Sequence, residues 1–270
     1  MNSTVNISVV NKNGSTCLQD CFFNPPFRIV NISGKRVMPQ LDLVMMCSSP
    51  GILDKDGWNF EVVVGADSHL RLHTQSYHRI FKMKEGASQS MQVCLQDGSS
   101  FTWLPHPSVP HEESIFCNRN KIFLQGNCTL VWGEIITCGR QLHNEVFSFS
   151  KYHNITEVFL NDKLVIKENL LMEPGKVNLQ RLGQLEGYTH QASLFYLSAD
   201  VLLQEKTNTV LDYLATQSSI EYGFTRTSIP GFMVRILGYK AEQLHQCLNA
   251  IASLVQSTIV ENILNNKLAK

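Results

Sequence analysis

Charge is the scarcest ingredient of this 270-residue sequence. Asp, Glu, Lys and Arg make up 17% of it, against roughly 25% in an ordinary globular domain. The 23 basic residues balance 23 acidic ones, so the chain is not built to neutralise nucleic-acid phosphates or an anionic membrane surface. It also lacks like-charge repulsion between copies and is expected to be poorly soluble until a partner covers it. No apolar run approaches the ~20 residues of a membrane-spanning helix. The opening segment Met1–Val10 is polar, without the basic flank and apolar centre of an export leader. No low-complexity tract and no repeat with a period of about 20–50 residues is visible, so a sequence-regular solenoid or propeller is not supported. Enzyme signatures are missing as well: there is no G-x-S-x-G, no Walker loop, no G-x-G-x-x-G opening a helix and no H-E-x-x-H. Sheet enzymes can assemble sites from scattered residues, so these absences remove a positive reason for catalysis without excluding it.

Hydrophobic residues, at 43%, are enough to build a substantial core and exclude global disorder. Eight cysteines and six Asn-x-Ser/Thr sequons would fit a secreted glycoprotein, but the polar start argues for a cytoplasmic protein with reduced thiols. Cys47, Cys94, Cys128 and Cys138 sit in apolar or alternating stretches, where cysteine behaves as a small hydrophobe. To about residue 200 the text reads as strands. Leu41, Leu43, Met45 and Cys47 alternate, as do Phe60, Val62 and Val64, then Leu70 and Leu72, then Met91, Val93 and Leu95. Ser-Pro-Gly at 49–51, Asp-Gly at 97–98, Asn-Asp at 161–162 and Pro-Gly at 174–175 punctuate them. Leu202–Gln217 carries a moderate helical period. Lys240–Asn266 carries a stronger one through Leu244, Cys247, Leu248, Ile251, Leu254, Val255, Ile259 and Ile263. Between them Gly231–Gly238 reads as one more strand. No flexible linker separates the two textures. The expectation is one domain over 1–270, strand-rich in 1–200 and helix-containing in 200–270, mainly β with the longer helix C-terminal.

Several residues could carry chemistry. His69 and His73 have an H-x3-H spacing, but Leu70 and Leu72 alternate there, and four residues of strand span ~13 Å, too far for a shared metal. Cys17 and Cys21 supply at most two ligands, with no second pair at a finger spacing. Trp103–Pro110 is a proline-spaced corner or strand edge. Glu134, Arg140 and Glu145 lie among apolar neighbours, where an unpaired buried charge costs several kcal/mol. They must pair, as Arg140 with a carboxylate, or line a wet cavity.

Read together, these segments resemble the UreD/UreH family of urease accessory proteins. Phe22-Phe23-Asn24-Pro25-Pro26-Phe27-Arg28 is similar to its FF-x-PPF-K/R signature, and Ser49-Pro50-Gly51 with Asp56 to its SPG…GD segment. Leu104-Pro105-x-Pro107-x-x-Pro110 resembles LP-x-P-x-IP, and Glu134-Ile135-Ile136 with Gly139-Arg140 and Asn144-Glu145-x-Phe147 resembles E-I-x-x-x-GR-x-x-x-G/N-E-x-F. Leu70–Phe81, Glu186–His190 and Val234–Leu237 resemble further segments, so the match is collinear from about residue 20 to 265. Lys55 replaces the glycine before Asp56, which puts that turn in question, and His73 and His111 stand where the family has other residues.

The resemblance implies an irregular β-helix-like stack of mixed strands with two helices. It also implies a non-catalytic scaffold or chaperone that binds apo-urease and UreF, reaches the GTPase UreG through UreF, and assembles as a dimer of heterotrimers. No tightly bound cofactor is implied; nickel is in transit to the urease site. Carboxylates and waters hold nickel loosely enough to release it, where clustered thiolates would trap it. Asp56, Glu134, Glu145 and Glu168 are therefore the expected lining of a transient nickel path, the alternative being that they pair with Arg140, Arg79 and neighbouring cations. Pro25, Pro26, Phe27, Gly51, Pro105, Pro107, Pro110, Gly139 and Arg140 are expected to be structural. A metalloenzyme built on His69 and His73, and a secreted disulfide-bonded module, are the competing classes.

Overall fold

The computed structural model describes residues 1–34 and 39–268, with side chains outside 257–268. Two hairpins come first. Strand β1 (Asn2–Lys12) returns as β2 (Ser15–Phe23), and β3 (Phe27–Asn31) pairs antiparallel with β4 (Gln40–Cys47). Asn13 and Gly14 both take positive φ at the first turn, as a two-residue hairpin with this twist demands.

The chain then winds in coils. β5 (Gly57–Val64), β6 (His69–Thr74) and β7 (His78–Ile80) form three sides of the first coil. β8 (Ala87–Leu95), β9 (Ser100–Trp103) and β10 (Ser108–Pro110) form the second. β11 (Ile115–Leu124) and β12 (Thr129–Thr137) begin a third, whose last side is a loop with one helical turn at Gln141–His143. β13 (Lys151–Leu160) stacks on β11, and β14 (Lys163–Met172) folds back along it through Asn161-Asp162, both at positive φ. Corresponding strands pair parallel, as in β5–β8–β11–β13 and β4–β6–β9–β12. Each coil takes roughly 30 residues, a period typical of solenoids. The sequence hides that period because one backbone level is filled by Trp58, Gln89, Asn118 and Asn154 in turn.

The outcome is a seven-stranded sheet ordered β14-β13-β11-β8-β5-β1-β2, facing a larger sheet whose centre is β15-β12-β9-β6-β4. Strand β15 (His190–Leu197) joins β12 antiparallel, β17 (Gly231–Gly238) pairs with β15, and β16 (Ile220–Arg226) forms that edge. Ile7, Val62, Val93, Ile122 and Val158 stand opposite one another and are at most 2% exposed, an aliphatic ladder between the sheets. Helices α1 (Leu203–Ala215) and α2 (Ala241–Leu268) cover the outer side of the larger sheet. Leu244, Cys247, Leu248, Ile251 and Val255 of α2 pack there on Val131, Ile135, Leu194 and Val234. The predicted α2 side chains Ile259 and Ile263 lie outside the described residues.

Strand β12 is covered on both faces. Val131 and Ile135 meet the helices, while Leu130, Trp132 and Ile136 face the other sheet. Alternation therefore aims Glu134 inward, into the core between the sheets.

Candidate functional site

That inward glutamate ends a ladder of amides. On β11 the inward positions run Phe116, Asn118, Asn120, Ile122 and Leu124. Asn118 stands level with Gln89 and Asn154, and Asn120 level with Thr156. Gln89 Nε2 donates to Asn118 Oδ1 (3.3 Å), and Asn118 Nδ2 donates to Asn154 Oδ1 (2.8 Å). Asn120 Nδ2 donates to Glu134 Oε1 (3.0 Å) and Thr156 Oγ1 (2.9 Å), and Asn154 Nδ2 donates to Glu134 Oε2. A buried polar group left unpaired costs about 1–3 kcal/mol, so the ladder is tolerable because its members satisfy one another. Burial pushes the Glu134 carboxyl up to about 7, and the nearby Glu168 charge adds to the rise, against the pull of the amide donors.

Beside the ladder lies a cavity of about 280 Å³, bordered by the exposed Pro50, Ser76 and Arg79 and walled by Phe27, Trp58, Trp103 and Phe116. Its polar lining includes Gln89, Asn118, Glu134, His78, His106 and Tyr152. Glu134 and Tyr152 also line a second space of about 10 Å³, on the scale of a single water, together with Asn154, Glu168 and Gln191. Glu168 pairs with Arg235, which lines an open groove of about 320 Å³ along β16 and β17 with Glu221 and Thr225. Cavity, Glu134, Glu168 and groove thus follow one another across the sheets. The His78 ring sits 5.3 Å from both Trp58 and Phe116, and burial brings its pKa down to about 4, leaving a neutral imidazole. Burial also raises the Cys47 thiol on the cavity wall, which keeps it protonated.

Of the four expected path acids, the structure brings together Glu134 and Glu168. Asp56 instead accepts the Met1 amino group (2.7 Å) and Leu53 N–H (2.9 Å), closing the turn before β5. Lys55 takes φ 67° in that turn, the left-handed conformation that a glycine would adopt freely. Glu145 receives both ends of the Arg140 guanidinium and Glu112 N–H (3.2 Å). The Arg140 hydrogen bonds hold its carboxyl below the ordinary range. Asp56 and Glu145 line neither cavity.

The motif residues serve the frame around this cavity. Pro25 and Pro26 present carbonyls to Ser3 Oγ and Ser48 N–H and bring Phe27 edge-on to Trp58 and Phe60. Gly51 passes against the Arg79 carbonyl, where a Cβ would collide. Pro105 and Pro107 lie in the connection from β9 to β10, and Pro110 ends β10. Gly139, at φ 120°, fits between the carbonyls of Pro110 and Glu145.

His69 and His73 lie on β6, with His69 Nδ1 bonded to Ser100 Oγ (2.8 Å). Among the described residues no group of three His, Cys, Asp or Glu side chains is placed to cage a metal, and all eight cysteines are free thiols. No described helix is long and apolar enough to cross a membrane. Sequence reading passed over Asn118, Asn120, Asn154 and His78. Their signal was present: each asparagine falls in phase with inward apolar residues, and a polar residue on a core-facing phase is the informative exception.

The winding strands, the helices on one face and an interior acid–amide ladder beside a cavity define a β-coil protein with a polar centre. Comparison with known proteins gives it a family. The family model described as UreD urease accessory protein matches residues 2–266. The chain is 44% identical to the urease accessory protein UreD of Flavobacterium johnsoniae, covering 89% of this chain and 87% of that one. It is 30% identical to the UreD of Acetivibrio thermocellus (90% and 92% covered) and 30% identical to that of Haemophilus influenzae strain PittGG (95% and 100%). The chain belongs to the UreD family of urease accessory proteins, which places its role in urease maturation.

Proposed function

We propose that this chain is a non-catalytic, cytoplasmic maturation factor that folds as one domain and carries nickel through its interior to apo-urease. UreF is its direct partner and the GTPase UreG its indirect one, in a dimer of heterotrimers. Nickel is cargo here, held by no resident site. The observation that carries the reading is Glu134, the carboxylate shared by the cavity and the small space that holds Glu168. Both its oxygens already accept amide donors, so an arriving ion competes with hydrogen bonds and leaves easily. Carboxylate, amide oxygen and water suit such a hold, and the protonated Cys47 thiol does not turn it into a trap. Full-length chain co-expressed with UreF, UreG and apo-urease should co-purify with all three and restore urease activity in added nickel. Absence of any complex, or activation that is equal without this chain, refutes the assignment.

A further inference from the structure

A path lined by oxygen alone does not tell nickel from magnesium or calcium, which favour oxygen ligands, whereas imidazole suits nickel, zinc and copper. Two imidazoles line this cavity. His106 sits between Pro105 and Pro107, near its exposed border. Its ring stacks on His245 of α2 at 4.6 Å and lies 6.0 Å from the Tyr77 ring on the other strand connection. Thr74 Oγ1 accepts the His106 backbone N–H (2.8 Å) and lies 3.2 Å from the ring's Nδ1, so a hydrogen bond with Thr74 holds that nitrogen in place. A ring nitrogen fixed by a hydrogen bond, with the other one free, is the arrangement that metal-ligating histidines use. Deeper in, His78 is clasped between Trp58 and Phe116, and its buried Nε2 has no hydrogen-bond partner.

We infer that His106 and His78 are the ion-selecting ligands of the cavity, which takes a partly hydrated divalent ion of the nickel–cobalt–zinc class and passes over magnesium and calcium. The inference rests on the reading of the chain as a nickel conduit and adds what that reading lacks, discrimination at the entrance. A space of about 280 Å³ holds an ion with several of its waters. No cage of three protein ligands surrounds it among the described residues, which favours passage over storage.

The test is calorimetric titration of the full-length chain with nickel(II) in excess magnesium, comparing wild type with H106F, H78F, the double variant and E134Q. Phenylalanine keeps the ring stacking at both sites. Each histidine variant should bind nickel about tenfold more weakly and the double variant still more weakly, with magnesium binding unchanged and imidazole scattering lost from the nickel X-ray absorption spectrum. Unchanged nickel affinity in the double variant, with E134Q weakened, overturns the histidine assignment and leaves the conduit standing. Unchanged affinity in all four variants overturns both. Should the variants fail to fold, nickel added below one equivalent to wild type labelled with ¹⁵N-histidine decides. Broadening of the His106 and His78 ring signals ahead of the other histidines supports the assignment, and its absence refutes it.

Discussion

Replacing Glu134 by glutamine removes an ionisation while keeping the side chain's shape, so its effect on stability must depend on pH. Glu134 is raised from 4.5 to about 7 in the folded chain. A carboxyl raised on folding contributes stability that is complete below its ordinary pKa and is lost as pH climbs through the folded value. The wild type should therefore lose about 3 kcal/mol between roughly pH 4 and pH 8, taking about 1.4 kcal/mol per pKa unit. Glutamine cannot ionise and should lose none of this. It carries a fixed cost instead, because its amide nitrogen faces the Asn154 Nδ2 donor, and that side chain's Oδ1 is already held by Asn118 and Asn120. One mismatched donor of this kind costs about 1–3 kcal/mol. The quantity to follow is the difference between E134Q and wild type in urea unfolding, at intervals from pH 5 to 8. The difference should move in favour of E134Q by about 2–3 kcal/mol across that range, whatever its starting value. A difference that stays flat within about 0.5 kcal/mol, inside the usual extrapolation error, means that Glu134 ionises as an ordinary carboxylate and that the interior there is wet.

Three further perturbations have defined outcomes. N154L strips one donor from Glu134 and leaves Asn118 and Asn120 short of an acceptor, so it should cost about 3 kcal/mol or more at neutral pH, with the larger loss at pH 8 than at pH 6; equal losses would detach Asn154 from the Glu134 ionisation. Gly51→Ala drives a Cβ into the Arg79 carbonyl, with the Arg79 Cβ and the Phe81 ring at 2.9 Å, and should lower the melting temperature by several degrees for about 1–3 kcal/mol of overpacking. R140A should cost about 1 kcal/mol at pH 7, since Arg140 is partly exposed. Because the depressed Glu145 carboxyl contributes stability that is complete above its ordinary pKa and is lost as pH falls through the lower folded value, that cost should shrink steadily as melts are taken to acid pH, and a cost independent of pH would assign it to packing instead.

Much of the architecture was legible because strand alternation and helical period report burial directly. Gly231–Gly238 reads as a strand and is one, and the spacing from Leu244 to Val255 marks the buried stripe of α2. What stayed hidden has physical causes. β15 is buried on both faces, so Gln191–Leu197 shows no alternation to read. The winding depends on parallel partners roughly 30 residues apart, whose inward side chains differ from coil to coil. In the site, Glu134 stood out as a charge among apolar residues. Glu145 stood out equally, and Asp56 through the family resemblance, yet the Asp56 carboxylate closes a turn and that of Glu145 clasps Arg140. Sequence position does not distinguish an acid aimed at a cavity from one aimed at a backbone turn. The asparagine ladder needed only the observation that Asn118, Asn120 and Asn154 fall in phase with core residues.

The central claim, that nickel passes Glu134 on its way to urease, is tested most directly by the nickel content of urease. Apo-urease would be matured with complexes carrying either wild-type chain or E134Q, and the nickel bound per urease active site measured after separation. The account predicts that E134Q assembles as the wild type does and delivers nickel at least about tenfold more slowly. Equal nickel loading by an intact E134Q complex would contradict it.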